Sequence, residues 1–288
     1  MNQVEAAREL ARDGLPTLRA VCERDELLAR KSLGQHFLFD LNLTGRIASA
    51  AGDLSAGTTI EIGPGPGGLT RALLTAGAAA LVVIERDRRF RPALDEIAAH
   101  FPGHLEILEA DAMAVPVHGL GHGPRRVVAN LPYNIGTQLL LDWLRHPASF
   151  ASLTIMLQKE VVDRIVAPPN GEAYGRLAIA AQWHWQARRL FDVPASAFVP
   201  PPKVASAIVQ LVPRVAPVAA ADPRMLERVV AAAFGQRRKM LRSALRAMGG
   251  DPLPRLAVAG IRPEARAETL TIPEFCALAR AYSASPVA

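Results

Sequence analysis

The sequence predicts an α/β fold: a mostly parallel, seven-stranded sheet covered by helices on both faces, followed by a small all-helical region. Three observations predict it. Short apolar runs alternate with helix-spaced segments from Thr58 onward, the pattern of consecutive βαβ units. Two later strand-like runs are separated by a proline-rich stretch without a helix pattern. Beyond a linker rich in Val, Ala and Pro, only helix patterns occur. At 288 residues, half of them hydrophobic, the chain can fill one large core and a smaller one.

Taken in order, the N-terminal "MNQVEAARELARDG" is charged and amphipathic, with no apolar stretch or cleavage site of a leader, and residues 1–30 are expected to form a helical extension. The runs "TTIEIG", "ALVVIE", "LEIL", "RVVAN" and "LTIML" read as five buried parallel strands, with helices such as "GGLTRALLTAG" and "RFRPALDEIAAH" between them. "RRLFDV" and "SAIVQLV" flank "PASAFVPPPKVA", so they are expected to pair as an antiparallel hairpin at the sheet edge. The linker "VPRVAPVAAADP" sets the expected boundary near Val212 to Ala221, between a domain of residues 31–215 and a helical one of residues 216–288.

Composition narrows the function classes. No apolar run approaches the roughly 18 residues that read as a membrane span. Cys22 and Cys276 stand at opposite ends of the chain without a CxxC pair or nearby His at metal spacing, so a reducing cytoplasm is expected, with no disulfide and no metal. Residues 221–288 hold 11 Lys and Arg against 6 Asp and Glu, most of the net charge of +6. Such a field suits a polyanion such as nucleic acid, although a solvated basic face gives the same count.

"EIGPGPGGLT" follows the first strand and opens a helix, the ligand-binding position of doubly wound sheets, and Gly63, Gly65 and Gly68 satisfy GxGxxG. A phosphate cradle needs backbone N–H donors and no negative charge nearby. Here Pro64 and Pro66 remove two donors, and Glu61 puts a carboxylate at the base of the loop. A ligand carrying an ammonium and a sulfonium suits this loop better than a pyrophosphate. The next strands also end in acids, Glu85 in "VVIERD" and Asp111 in "LEILEADAM". Glu85 can accept from a ribose diol and Asp111, with Ala112 beside it, from an adenine amine. Each alone reads as a solvated loop acid; three at consecutive strand ends do not. "NLPYNI" then ends the fourth strand with an amide, a proline and an aromatic ring, which is turn chemistry and also the chemistry of a base-binding site.

The ordered set "KSLGQHFL", "EIGPGPGGLT", "VIERD", "ADAM", "NLPYNI", "MLQKEV", "YGRLAI", "FVPPPKVASAIVQL" and "FGQRRKMLRSAL" resembles the ribosomal RNA adenine dimethyltransferase family, from Lys31 to the C-terminus. The resemblance implies a class I, Rossmann-like methyltransferase domain and a small helical domain. It implies transfer of methyl groups from S-adenosylmethionine, leaving S-adenosylhomocysteine, to the exocyclic amines of two adjacent adenosines near the 3′ end of small-subunit RNA. The partner expected is the small-subunit ribosomal RNA of a pre-30S particle, met by a monomer with no membrane contact. Carried over by position, donor contacts fall on His36, Leu38, Gly63, Glu85, Asp111 and Asn130. The family commonly has Asn where this chain has His36; a contact through the backbone tolerates that change.

On this reading the Asn130 side-chain oxygen and the Leu131 carbonyl, turned inward by Pro132, accept from the adenine amine and free its lone pair. Tyr133 stacks on the extruded base. Phe198 faces it from the other side, or else is a core aromatic of the edge hairpin. Arg237, Arg238, Lys239 and Arg242 are the expected phosphate contacts, 238 and 242 sharing a helical face. Other readings are a large-subunit RNA methylase of the antibiotic-resistance type, a non-catalytic RNA-binding assembly factor, and an NAD-dependent oxidoreductase, the last disfavoured by the prolines and Glu61.

Overall fold

The computed structural model describes residues 13–30 and 34–284; the expected helix over residues 1–12 and the first three residues of "KSLGQHFL" lie outside them. The chain forms two compact units. One runs to Val162 and resumes over Arg188–Pro213; the other joins Asp163–Ala187 to the chain from Arg214 on.

The first unit is built on β2 (Thr58–Ile62), β3 (Ala80–Glu85), β4 (Leu105–Glu109), β5 (Arg125–Asn130), β6 (Ser152–Gln158), β7 (Trp185–Val193) and β9 (Ser206–Pro213), in the order β4-β3-β2-β5-β6-β9-β7. The first five are parallel, and β9 runs antiparallel to β6. Thus the seven sequence runs are the seven strands, and the last two are neighbours at the edge as expected, with β9 inside β7. Every residue of β2 is buried, and Leu81, Val82, Val83 and Ile84 of β3 are all 5% exposed or less. Side chains alternate across a sheet, so burial of both parities means both faces are covered, which explains why these strands read as continuous apolar runs. Ile47, Leu73, Phe90 and Leu94 from the surrounding helical segments pack in one cluster with Leu81 and Val83.

The order also fixes where a ligand can go. The chain leaves β2 for β3 on one side and later returns as β5 on the other, so the connections diverge at the carboxyl ends of β2 and β5 and open a crevice there. One pairing is not legible in the sequence: β1 (Phe37–Leu38) and β8 (Phe198–Val199) form a two-stranded antiparallel sheet, Leu38 opposite Phe198. Two residues are too few to show a period, and their partners are 160 positions apart.

The expected separate extension over residues 1–30 is corrected where it is described. Thr17 caps the helix Leu18–Arg24, and Leu15, Val21 and Leu27 belong to the core of the first unit. Arg71, 2% exposed, ties this segment down by pairing with Asp13 and donating to the Pro16 carbonyl at 2.7 Å.

The second unit corrects the boundary too. Asp163–Ala187, assigned by sequence to the large domain, clusters with the C-terminal helices. Tyr174, Ile179 and Trp183 pack there with Val229, Leu245 and Phe275. Tyr174 donates its hydroxyl to the Leu270 carbonyl at 3.0 Å, and Trp183 its indole N–H to that of Ala219 at 2.8 Å. Linear order hides this, because the segment lies between two strands of the other unit.

Candidate active site

The glycine loop leaves β2 with Gly63 and Gly65 at positive φ, 66° and 55°, which suits residues without a Cβ. A Cβ on Gly68 would meet the Leu38 carbonyl oxygen at 2.6 Å, so the third glycine lets the helix Gly68–Thr75 approach β1. Beneath the loop Glu61 is 2% exposed and accepts from the Thr70 hydroxyl at 2.7 Å. Burial pushes its carboxyl up to about 8, against the pull of the Thr70 bond and with a further push from the charge of Glu85. Glu61 and Asp87 are the buried acids among the described residues, and Asp87 is paired with Arg89 whereas no cation acts on Glu61, which lines the cleft.

At the end of β3, Glu85 accepts from the Gly65 N–H at 3.1 Å and from the Asp87 N–H at 2.8 Å. Burial raises its carboxyl, and these bonds oppose the rise. Asp87, 7% exposed, accepts from Arg89 at 2.6 Å and from Gln35 at 3.1 Å. The Arg89 bond leads in holding it down at about 2. Asp111 starts the short helix Ala112–Ala114 by accepting from the Met113 N–H at 3.0 Å, and pairs with Arg86 at 2.9 Å. Those two bonds, the backbone one first, keep its carboxyl below the usual range.

"NLPY" closes the cleft at the end of β5. Asn130 donates its amide N–H to the His36 carbonyl at 3.3 Å, which orients the side chain and leaves Oδ1 as its acceptor end. Leu131 is 1% exposed, its N–H donating to Met156, while the Pro132 carbonyl accepts from Gly136 at 2.8 Å and begins the next helix. The Tyr133 hydroxyl and Ser206 share a 2.5 Å hydrogen bond. The His36 ring bonds the Pro200 carbonyl through Nδ1 at 2.8 Å; a carbonyl only accepts, so Nδ1 carries the proton. That ring stands 5.7 Å from Tyr133 and 6.4 Å from Phe198.

The structure therefore brings His36, Leu38, Glu61, Gly63, Gly65, Glu85, Asp111, Ala112, Asn130, Leu131, Pro132 and Tyr133 around one cleft. Phe198 is not among its lining residues. It is 2% exposed and packed in the core, so the core alternative describes it, because pairing with β1 turns its ring inward. Sequence reasoning missed Arg86, Met113 and Gln35, which also line the cleft; Arg86 follows Glu85 directly, but nothing in "ERD" says which acid it will pair with.

The expected basic helix is also corrected. The helix Pro223–Gly235 stops, and Arg237, Arg238 and Lys239 occupy a turn before the short helix Leu241–Ala244, which holds Arg242. Residues 238 and 242 therefore share no helical face. Met240, beyond that turn, bridges to Arg266. Arg237 donates to the Glu172 carbonyl at 2.8 Å, whereas Arg238 and Lys239 are exposed. Arg242 is exposed and stands 3.9 Å from Glu264.

Comparison with known proteins shows the family. The family model "Ribosomal RNA adenine dimethylase" matches residues 26–283. A relative from Paramagnetospirillum magneticum, called ribosomal RNA small subunit methyltransferase A, is 61% identical over 94% of this chain and 96% of its own. One of the same name from Rhodospirillum rubrum is 57% identical over 98% of both chains. The crystal structure of a dimethyladenosine transferase from Plasmodium falciparum shares the fold, with a TM-score of 0.73 at 24% identity, over 84% of this chain and 96% of that one. The chain belongs to the ribosomal RNA adenine dimethylase family.

Proposed function

We propose that this protein uses S-adenosylmethionine to dimethylate the exocyclic amines of two adjacent adenosines near the 3′ end of small-subunit ribosomal RNA, acting on a pre-30S particle. One observation carries the reading: Asn130, its amide N–H held by the His36 carbonyl, lines the same cleft as the glycine loop, Glu85 and Asp111. An acceptor for an amine and a set of acids suited to a cationic nucleoside thus adjoin. The high identity to relatives named for the small subunit supports this substrate over large-subunit RNA.

The residues fit the donor. Gly63 and Gly65 leave room for close approach to the loop, Glu61 supplies charge opposite an ammonium, Glu85 accepts from the ribose hydroxyls, and Asp111 with Ala112 meets the adenine. When bound, the donor supplies a methyl group activated by a sulfonium. Asn130 Oδ1 and the Leu131 carbonyl accept the hydrogens of the target amine, so that its lone pair is freed for in-line attack. Tyr133, tethered to Ser206, offers its ring to the base. No strong general base is needed, because the proton can leave to water once the nitrogen has become cationic, and rate comes from positioning and electrostatics.

A cytoplasmic, monomeric protein with no metal in its chemistry completes the proposal, and exposed Arg238, Lys239 and Arg242 of the second unit are its phosphate contacts. No helix among the described residues is long and apolar enough to cross a membrane. Primer extension on small-subunit RNA from cells lacking the protein tests the reading. Loss of the stops at two adjacent adenines is expected; stops unchanged there would refute it.

A further inference from the structure

Away from the cleft, three side chains form a group that the proposed chemistry does not use. His118 stands in the short helix Val117–Gly119, and Asp142 and His146 lie at the end of the helix Gly136–Trp143 and in the turn before β6. One ligand atom from each lies within 4.8 Å of the other two. The histidine rings are stacked, centroids 4.0 Å apart and planes 12° from parallel. Nδ1 of His118 is buried with no hydrogen-bond partner. A buried polar atom of this kind calls for an explanation, an unseen ion being one.

We propose that His118, Asp142 and His146 bind a divalent transition-metal ion, Zn²⁺ by its chemistry. Two imidazoles and a carboxylate match zinc, whereas magnesium and calcium favour oxygen alone. Three protein ligands leave the fourth tetrahedral position to water. Bonds of about 2.0–2.1 Å place tetrahedral ligand atoms roughly 3.3 Å apart, so the group is open by no more than about 1.5 Å, and binding would turn the two rings out of their stack until both in-plane nitrogen lone pairs meet at one ion.

The backbone holding the ligands is fixed. Val117 and Trp143, neighbours of His118 and Asp142, are 0% and 1% exposed, and the His146 N–H donates to the Trp143 carbonyl at 3.0 Å. The turn with His146 feeds the start of β6, and Asn130 marks the opposite, carboxyl end of neighbouring β5. Metal here would clamp the loop before β5 to the turn before β6 without touching the donor site. Spacing rules could not find it, because 28 positions separate the histidines and the third ligand is an ordinary surface acid.

The test is calorimetric titration of the full, untagged, chelator-treated chain with ZnCl₂, beside Asp142→Asn and His146→Phe. Asp142 is exposed, so its replacement leaves the fold intact, and Phe preserves the ring stack. One ion per chain is expected, with affinity at least tenfold lower in each variant, a zinc-dependent rise in melting temperature for the parent alone, and unchanged S-adenosylmethionine affinity throughout. Absence of saturable uptake, or uptake equal in the parent and both variants, would overturn the proposal; the histidine pair would then be packing only.

Discussion

Glu61→Gln should make this protein more stable and a poorer donor binder, with both effects governed by pH. Burial holds the Glu61 carboxyl at about 8, against 4.5 when solvated. The sign follows from linkage: a group whose folded value is raised favours folding in its protonated form. Its contribution is fully present below 4.5 and is lost as pH rises through 8. At pH 7 the ionisation the buried site resists amounts to about 3 kcal/mol, and at pH 5 to less than about 1 kcal/mol. Glutamine keeps an acceptor for Thr70 and has no charge to bury. Its gain should therefore be about 2 kcal/mol larger at pH 7 than at pH 5, or roughly 4–8 °C in melting temperature for a unit of this size. The donor should act in the opposite sense, since an ammonium beside Glu61 favours the carboxylate. Binding at pH 7 should release close to one proton, read by calorimetry in two buffers of different ionisation enthalpy, and Glu61→Gln should abolish that release while weakening binding. A stabilisation independent of pH, or donor binding without proton release in the parent, would refute the reasoning.

Glu85→Ala should weaken S-adenosylmethionine binding by about 1.5–3 kcal/mol, the range for hydrogen bonds to a charged group; calorimetry giving parental affinity in a folded variant would remove Glu85 from the site. Asn130→Ala should lower the methyl-transfer rate far more than RNA affinity, because it deletes the acceptor proposed for the reacting amine; equal losses would make Asn130 a binding or turn residue. His36→Asn should change donor affinity less than about fivefold, since Asn130 is held by the backbone carbonyl of residue 36, and the hydrogen bond of the replaced side chain accounts for roughly 1 kcal/mol; a loss well beyond tenfold would assign the ring a direct role. Arg238 and Lys239 changed together to Gln should flatten the slope of log RNA affinity on log salt by roughly 0.7–0.9 for each phosphate no longer neutralised; an unchanged slope would mark the turn as a solvated face.

What the sequence disclosed follows from the range of the forces involved. The strands of the sheet are legible because each is buried on both sides and so written as a local apolar run, and the acids at their ends are legible because strand ends of a doubly wound sheet meet by topology alone. Glu61, Glu85, Asp111 and Asn130 could be gathered in this way. Phe198 could not, since whether its ring faces the cleft or the core depends on a two-residue pairing with Leu38. The helix expected across Arg238 and Arg242 is absent for a more local reason: it ends at Gly235, a residue type about 1 kcal/mol less favourable in a helix than Ala, and beyond the turn Met240 pairs with Arg266. Residues 163–187 were misassigned because burial of Tyr174 and Trp183 against distant helices leaves no mark in the order of the chain.

On the proposed function, the segment from Gln35 to Leu38 holds the methyl donor and the target amine in one register. Gln35 donates to Asp87, whose own N–H donates to Glu85, the His36 carbonyl accepts from Asn130, the His36 ring bonds Pro200, and Leu38 pairs with Phe198. Four consecutive residues thus span the loop after β3, the end of β5 and the proline-rich loop. Each bond alone contributes about 1 kcal/mol, too little to fix a geometry by itself. Their value is that they share one short backbone, so displacing any one shifts the anchors of the others. Methyl transfer tolerates little error in the distance between nitrogen and methyl carbon, and a misplacement of about 1 Å can cost 100-fold in rate. In the proposed site the glycine loop and the strand-end acids select the donor, and this segment sets whether the amine meets it.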